Sequence, residues 1–182
     1  MKKFSLLFLF SLLFWAGKSQ DFSHITLDNR IYTDDIYSVK LCPADKYFGT
    51  PIIKLNSGEQ LRLVFDHLGD YDEYMKYTLI HCSHDWQLSP MNPLEYLDGF
   101  MEDEITDNSY SFNTITGYTH FELLLPNDLL RITKSGNYIL FVYDETPENP
   151  ILTQRFMVVE STTAGIVGTV QQAQDVNYMS TH

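Results

Sequence analysis

Alternation between apolar and polar positions is the clearest pattern in the chain. Leu61, Leu63 and Phe65 alternate with Arg62 and Asp66, and Phe121, Leu123 and Leu125 alternate with His120 and Glu122. A period of two sends successive side chains to opposite sides of an extended backbone, so each run reads as a half-buried strand with its apolar side inward. Further strands are expected over 36–41, 51–55, 74–82, 138–143 and 152–159, with turns at Asn56-Ser57-Gly58, Pro126-Asn127-Asp128, Ser135-Gly136-Asn137 and 147–150. No sustained helical period interrupts them. About seven short strands with such turns predict an all-β fold: an antiparallel β-sandwich of the immunoglobulin or fibronectin kind, with Phe65, Phe121, Leu123, Leu125 and Leu140 buried.

One local pattern supports that architecture. Gly136-Asn137-Tyr138-Ile139-Leu140 has the layout of a tyrosine corner: a turn glycine, a tyrosine, and two residues later a core position, here leucine where antibody domains have cysteine. The alternative is a tyrosine that merely opens a strand.

Between the expected strands lies a long connection within 77–128. It carries Trp86, Pro90, Pro93, Tyr96, Gly99 and Phe100 together with the acids Asp98, Glu102, Asp103 and Glu104. Long ordered connections of this composition usually bind something or cover a core. Exposed rings among acids supply anchors and salt-sensitive steering for a protein partner. Trp86, Tyr96, Asp98, Phe100, Glu102, Asp103 and Glu104 are therefore the candidate partner-binding residues. The plainer alternatives are a core tryptophan, loop-covering aromatics and a solvated acidic loop.

Composition narrows the partners. The 182 residues are 44% hydrophobic, enough for one domain with a core, and 20% charged with a net charge of −12. Such a field repels nucleic acid and anionic lipid head groups. Lys2 and Lys3, then the apolar run 4–16, then Gly17, Lys18 and Ser19 form an export leader cleaved before Gln20. The run is shorter than the roughly twenty residues a spanning helix needs, and no cysteine at the cleavage point offers a lipid anchor, so direct membrane insertion is not expected. Removing Lys2, Lys3 and Lys18 takes 12 basic residues to 9 against 24 acids, a charge of −15 for the exported chain. The expected division is a signal peptide at 1–19, a sandwich over 20–160, and a linker or the start of a second domain at 161–182.

Candidate chemistry is thin. Cys42 and Cys82 are the two cysteines and in an exported protein invite a disulfide, although each also reads as a small buried hydrophobe. His81-Cys82-Ser83-His84-Asp85 holds four potential zinc ligands, but on a strand Cys82 and His84 share one side while His81 and Asp85 share the other. No metal or cofactor is expected. The carboxylates Glu95, Asp98, Glu102, Asp103 and Glu104 would serve a calcium cage or an acid–base pair only if they converged. Motifs for nucleophilic, phosphate-binding or zinc-protease chemistry are missing.

A resemblance covers nearly all of the expected sandwich, from about Ile36 to Glu160. It is carried by Tyr77-Thr78-Leu79-Ile80-His81-Cys82, Asp85-Trp86, Ser89, Glu95-Tyr96-Leu97-Asp98-Gly99-Phe100, Ser111-Phe112-Asn113-Thr114, Tyr118-Thr119-His120-Phe121, Leu125-Pro126-Asn127, Ser135-Gly136-Asn137-Tyr138 and Arg155-Phe156-Met157-Val158. In order and composition these segments resemble the first domain of the type IX secretion system plug protein family. The resemblance implies a periplasmic, non-enzymatic protein of Bacteroidetes-type bacteria that sits against the inner mouth of an outer-membrane β-barrel translocon and closes it. Family members continue into further domains, whereas this chain stops soon after Gly165-Ile166-Val167-Gly168, so a fragment of a longer protein is expected. The alternative function is a carbohydrate-binding or accessory sandwich of a secreted hydrolase, which calls for a coplanar row of exposed rings.

Overall fold

Each strand read from the alternation forms. The computed structural model describes residues 22, 24–69 and 75–160; the expected leader at 1–19, the expected linker at 161–182 and Tyr74 of the expected strand 74–82 lie outside them. Among the described residues the strands are β1 (Arg30–Ile31), β2 (Ile36–Pro43), β3 (Ile52–Lys54), β4 (Leu61–Leu68), β5 (Met75–Cys82), β6 (Leu97–Gly99), β7 (Glu102–Glu104), β8 (Asp107–Tyr110), β9 (Tyr118–Leu125), β10 (Leu130–Ile132), β11 (Gly136–Asp144) and β12 (Pro150–Val159), with one helical turn, α1 (Pro93–Tyr96). The count is twelve rather than about seven. The excess comes from the short strands β1, β6, β7, β8 and β10, of two to four residues.

Two sheets face each other. The smaller runs β2-β4-β9-β8, and its centre is the pair of alternating runs, with Leu61 opposite Leu125, Leu63 opposite Leu123 and Phe65 opposite Phe121. The last pair stacks with ring centres 5.1 Å apart. The larger sheet runs β1-β12-β11-β5-β7, with β3 added parallel to β12. Between the sheets lie Leu61, Leu63, Phe65, Phe121 and Leu125 from one side and Tyr77, Leu79, Tyr138, Leu140 and Phe156 from the other. The five residues expected to be buried are all buried. A period-two pattern on both sheets thus produces one apolar layer, as a sandwich requires.

Strand β11 departs from simple alternation. Tyr138 to Tyr143 are all fully buried, because Tyr138, Leu140 and Val142 enter the inter-sheet core while Ile139, Phe141 and Tyr143 enter a second cluster on the outer side of the larger sheet. The segment 22–32 covers that second cluster. Phe22 packs edge-on against Phe141 with ring centres 6.1 Å apart, and Ile25, Leu27 and Tyr32 join it. Arg155 fastens the strap: its Nε and Nη2 donate to the Leu27 carbonyl at 2.8 and 2.5 Å, and its backbone N–H donates to Asn29 Oδ1 at 2.7 Å. Thr153 Oγ1 adds a bond to the Asp28 carbonyl at 2.7 Å.

The tyrosine corner is present. Tyr138 Oη donates to the Lys134 carbonyl four residues upstream at 2.8 Å, tying the turn to β11. Gly136 belongs to the same device: its φ is +149°, and a Cβ there would lie 2.4 Å from His81 Nε2. Only glycine accepts both conditions. Cys42 and Cys82 are free and buried, Cys42 in the smaller sheet and Cys82 in the outer cluster of the larger one. The buried-hydrophobe alternative describes them, and no disulfide joins them.

Candidate partner-binding surface

The connection after β5 is folded tightly rather than looped. A turn at 83–87 comes first, held by Ser83, whose Oγ donates to Asp85 Oδ1 at 2.5 Å and whose backbone N–H donates to the Gln87 carbonyl at 2.9 Å. The hydroxyl bond holds the Asp85 carboxyl below the usual carboxylate range. The turn places Trp86 at φ +61°, with its ring half-buried against the outer cluster and the Arg155 guanidinium 4.4 Å from the ring centre. Trp86 therefore fills neither the inter-sheet core nor an exposed anchor position. It closes the end of the strap.

Next comes α1, which a capping box starts. Asn92 Oδ1 accepts from the Leu94 N–H at 3.1 Å, Glu95 Oε1 accepts from the Asn92 N–H at 2.8 Å, and Pro93 opens the turn. One turn suffices to swing Tyr96 inward. It is 4% exposed, its Oη donates to the Leu79 carbonyl at 3.4 Å, and its ring lies 5.5 Å from His81 and 6.0 Å from Tyr138. Tyr96 therefore packs beneath the tyrosine corner, and little of its ring reaches the surface.

Strand β6 follows and pairs with β10, setting Asp98 opposite Arg131 and Gly99 opposite Leu130. Asp98 Oδ2 accepts from Arg131 Nη2 at 2.7 Å in an exposed ion pair, which contributes little to stability. Gly99 has φ +104°, and a Cβ there would sit 2.2 Å from the Leu129 carbonyl oxygen. The close approach lets the Phe100 N–H donate to that carbonyl at 2.8 Å. It leaves the Phe100 ring 61% exposed beside Leu129, itself 48% exposed.

The acids that read as a loop form an edge strand. β7 pairs with β5, setting Glu102, Asp103 and Glu104 opposite Thr78, Tyr77 and Lys76. Glu102 Oε2 accepts from Tyr143 Oη at 2.6 Å while its Oε1 lies 3.9 Å from Lys76 Nζ; Asp103 Oδ2 accepts from Tyr77 Oη at 3.3 Å. Burial, reinforced by the neighbouring carboxylates, pushes both phenols far above the ordinary tyrosine range. Glu102 and Asp103 therefore terminate two buried tyrosines, while Glu104 is exposed. Charge on β7 also discourages further strands from adding to this sheet edge.

Of the seven candidate residues, the structure gathers Asp98, Phe100, Glu102, Asp103 and Glu104 along one short path and turns Trp86 and Tyr96 to packing. Two exposed features were not anticipated. Tyr47 and Phe48 meet edge to face at 85° and hold Lys40 Nζ 3.5 and 4.0 Å from their ring centres, which is not the flat platform a sugar-stacking row needs. Phe112 and Ile115 stand 94% and 108% exposed at the β8–β9 turn. Their sequence signal was the run from Asn108 to Thr119, which has no acidic or basic side chain. His81, Cys82, His84 and Asp85 do not converge: among the described residues no three His, Cys, Asp or Glu side chains are grouped to hold a metal ion. No described helix is long and apolar enough to cross a membrane.

Comparison with known proteins adds a family. Residues 36–160 match the family model described as the type 9 secretion system plug protein 1st domain, from the first residue of β2 to one residue beyond β12. A crystal structure of a hypothetical protein from Parabacteroides merdae ATCC 43184 is similar at 35% identity and a TM-score of 0.72, over 75% of this chain and 34% of that one. The present chain thus spans about a third of that relative's length. No curated protein matches.

Proposed function

Because the chain belongs to the type 9 secretion system plug protein family, matching its first domain, we propose that it is a periplasmic protein that binds and plugs the inner opening of the outer-membrane β-barrel translocon. The observation that carries this reading is the extent of the match, which takes in every strand of both sheets except β1 rather than one motif. The role needs no catalysis and no cofactor. It needs a rigid body and a contact that releases, and the Phe100–Leu129 pair beside exposed acids is suited to both: rings supply contact area, while rim charges set encounter rate and salt dependence. The leader read at 1–19 is in keeping with export to the periplasm. Since the matching part of the relative is about a third of its chain, we assign this domain a share of the docking surface and not all of it.

The test is capture of the tagged, mature protein from its own cell envelope, followed by dye efflux from vesicles carrying the purified translocon. The translocon should co-purify, and added protein should slow efflux. Efflux unaffected by saturating protein would overturn plugging, and retention on envelope polysaccharide instead would favour the carbohydrate-binding alternative.

A further inference from the structure

We propose that the turn of the β8–β9 hairpin is a docking finger whose Phe112 and Ile115 enter an uncharged apolar pocket of a folded protein partner, which, on the reading above, is the translocon. Both side chains are essentially fully exposed, and Tyr110 below them is 54% exposed. Leaving a Phe and an Ile in water forgoes the stabilisation that burying such side chains gives. Among the described residues, neither packs against the two apolar clusters.

The turn is also stiff. The Ser111 N–H donates to the Tyr118 carbonyl at 2.8 Å, the Tyr118 N–H to Ser111 Oγ at 2.9 Å, and Thr114 Oγ1 to the Thr116 carbonyl at 2.8 Å. Asn113 takes the left-handed conformation, φ +59°, that turns the chain between the two apolar residues, a role asparagine fills with little strain. From outside, the Gly69 N–H donates to the Gly117 carbonyl at 2.8 Å. A finger ordered before contact loses less entropy on binding.

Charge identifies the occupant. In a chain that is 20% charged with a net charge of −12, Asn108 to Thr119 contain no acidic or basic side chain. A surface shaped for salt bridges would not be built this way, so the complement is a neutral, apolar pocket. A lipid surface fits less well, because segments that lie on membranes combine apolar residues with Lys and Arg, and there are none here.

The experiment uses the mature chain with immobilised, detergent-solubilised translocon. Wild type is compared with a Phe112→Ser/Ile115→Ser variant, with thermal melts as the folding control, and a photo-crosslinking phenylalanine analogue replaces Phe112 in a third protein. The expected result is an unchanged melt, affinity lowered about tenfold or more, as loss of apolar anchors produces, and a crosslink to the translocon. Wild-type affinity in the folded double variant would overturn the finger alone, whereas a wild type that does not bind at all would sink the plug reading and this inference with it. Two further assays decide the competing occupants: binding to phosphatidylethanolamine–phosphatidylglycerol vesicles, or self-association in sedimentation, lost in the double variant would each replace the protein pocket and refute the proposal.

Discussion

His81 shows how a single residue couples packing to pH. Its ring is wedged among Tyr96, Tyr138 and the backbone of Gly136, 5.0 Å from the Tyr138 ring centre. Nε2–H donates a long bond to the Ser135 carbonyl at 3.4 Å, and Nδ1 is buried with no partner among the described residues. A second proton would sit on that unpartnered nitrogen in an apolar corner, so burial holds the His81 pKa below its ordinary value. The unfolded chain takes up this proton near the usual histidine value of about 6.5, and the folded chain only at lower pH. Stability is therefore highest above about 6.5, falls as the pH drops from there towards the lowered folded value, and levels off below it. Urea midpoints at neutral and mildly acidic pH should show the fall, and His81→Gln should make it shallower. A variant losing stability with acid as steeply as wild type would remove His81 from this account.

The strap and the edge strands show where local pattern stops informing the fold. Arg155 anchors the strap through Leu27, lies 3.4 Å from Asp28 Oδ1 and covers the Trp86 ring. Cys82 is 1% exposed in the cluster beneath, and its thiol is pushed up to about 11 by burial. Arg155→Ala should loosen the strap while the inter-sheet core stays intact, so a Cys42→Ala background should show Cys82 reacting with a thiol reagent faster by about an order of magnitude, as local opening rather than global unfolding governs access. Equal labelling rates in a folded variant would show that Arg155 does not hold the strap. The strong strands were legible because residues such as Leu61, Leu63 and Phe65 alternate on one buried side, and the tyrosine corner because its bond spans four residues. Strand β7 was not, because Glu-Asp-Glu has no apolar period and becomes a strand only through pairing with Lys76, Tyr77 and Thr78. Nor was the strap, whose Phe22 and Ile25 acquire meaning from Phe141 more than a hundred residues away. The orientations of Trp86 and Tyr96 were not legible for the same reason: composition marks a residue as a capable anchor, but the capping box at Asn92 and the turn at Ser83 decide which way it points.

At the scale of the molecule, the exposed acids and the exposed ring should contribute to partner binding in different ways. Tyr96 belongs to the core, so its removal would report on folding rather than docking, and Phe100 is the informative ring of this connection. Its ring is 61% exposed and its backbone is fixed by the bond to Leu129, so Phe100→Ala should leave the melting temperature nearly unchanged. If the ring is buried on the translocon, its loss should weaken association by about 2 kcal/mol, mainly through faster dissociation, as for an apolar hot spot. Glu104 is exposed on β7, so Glu104→Gln should instead alter the association rate and its salt dependence, with little effect on dissociation. Glu102 and Asp103 are unsuitable for this comparison because their neutralisation also disturbs Tyr143 and Tyr77. Kinetics on immobilised translocon at two salt concentrations separate the two effects. A folded Phe100→Ala variant that dissociates no faster than wild type would take this ribbon out of the interface, and salt-independent association by wild type would deny the acidic edge any steering role.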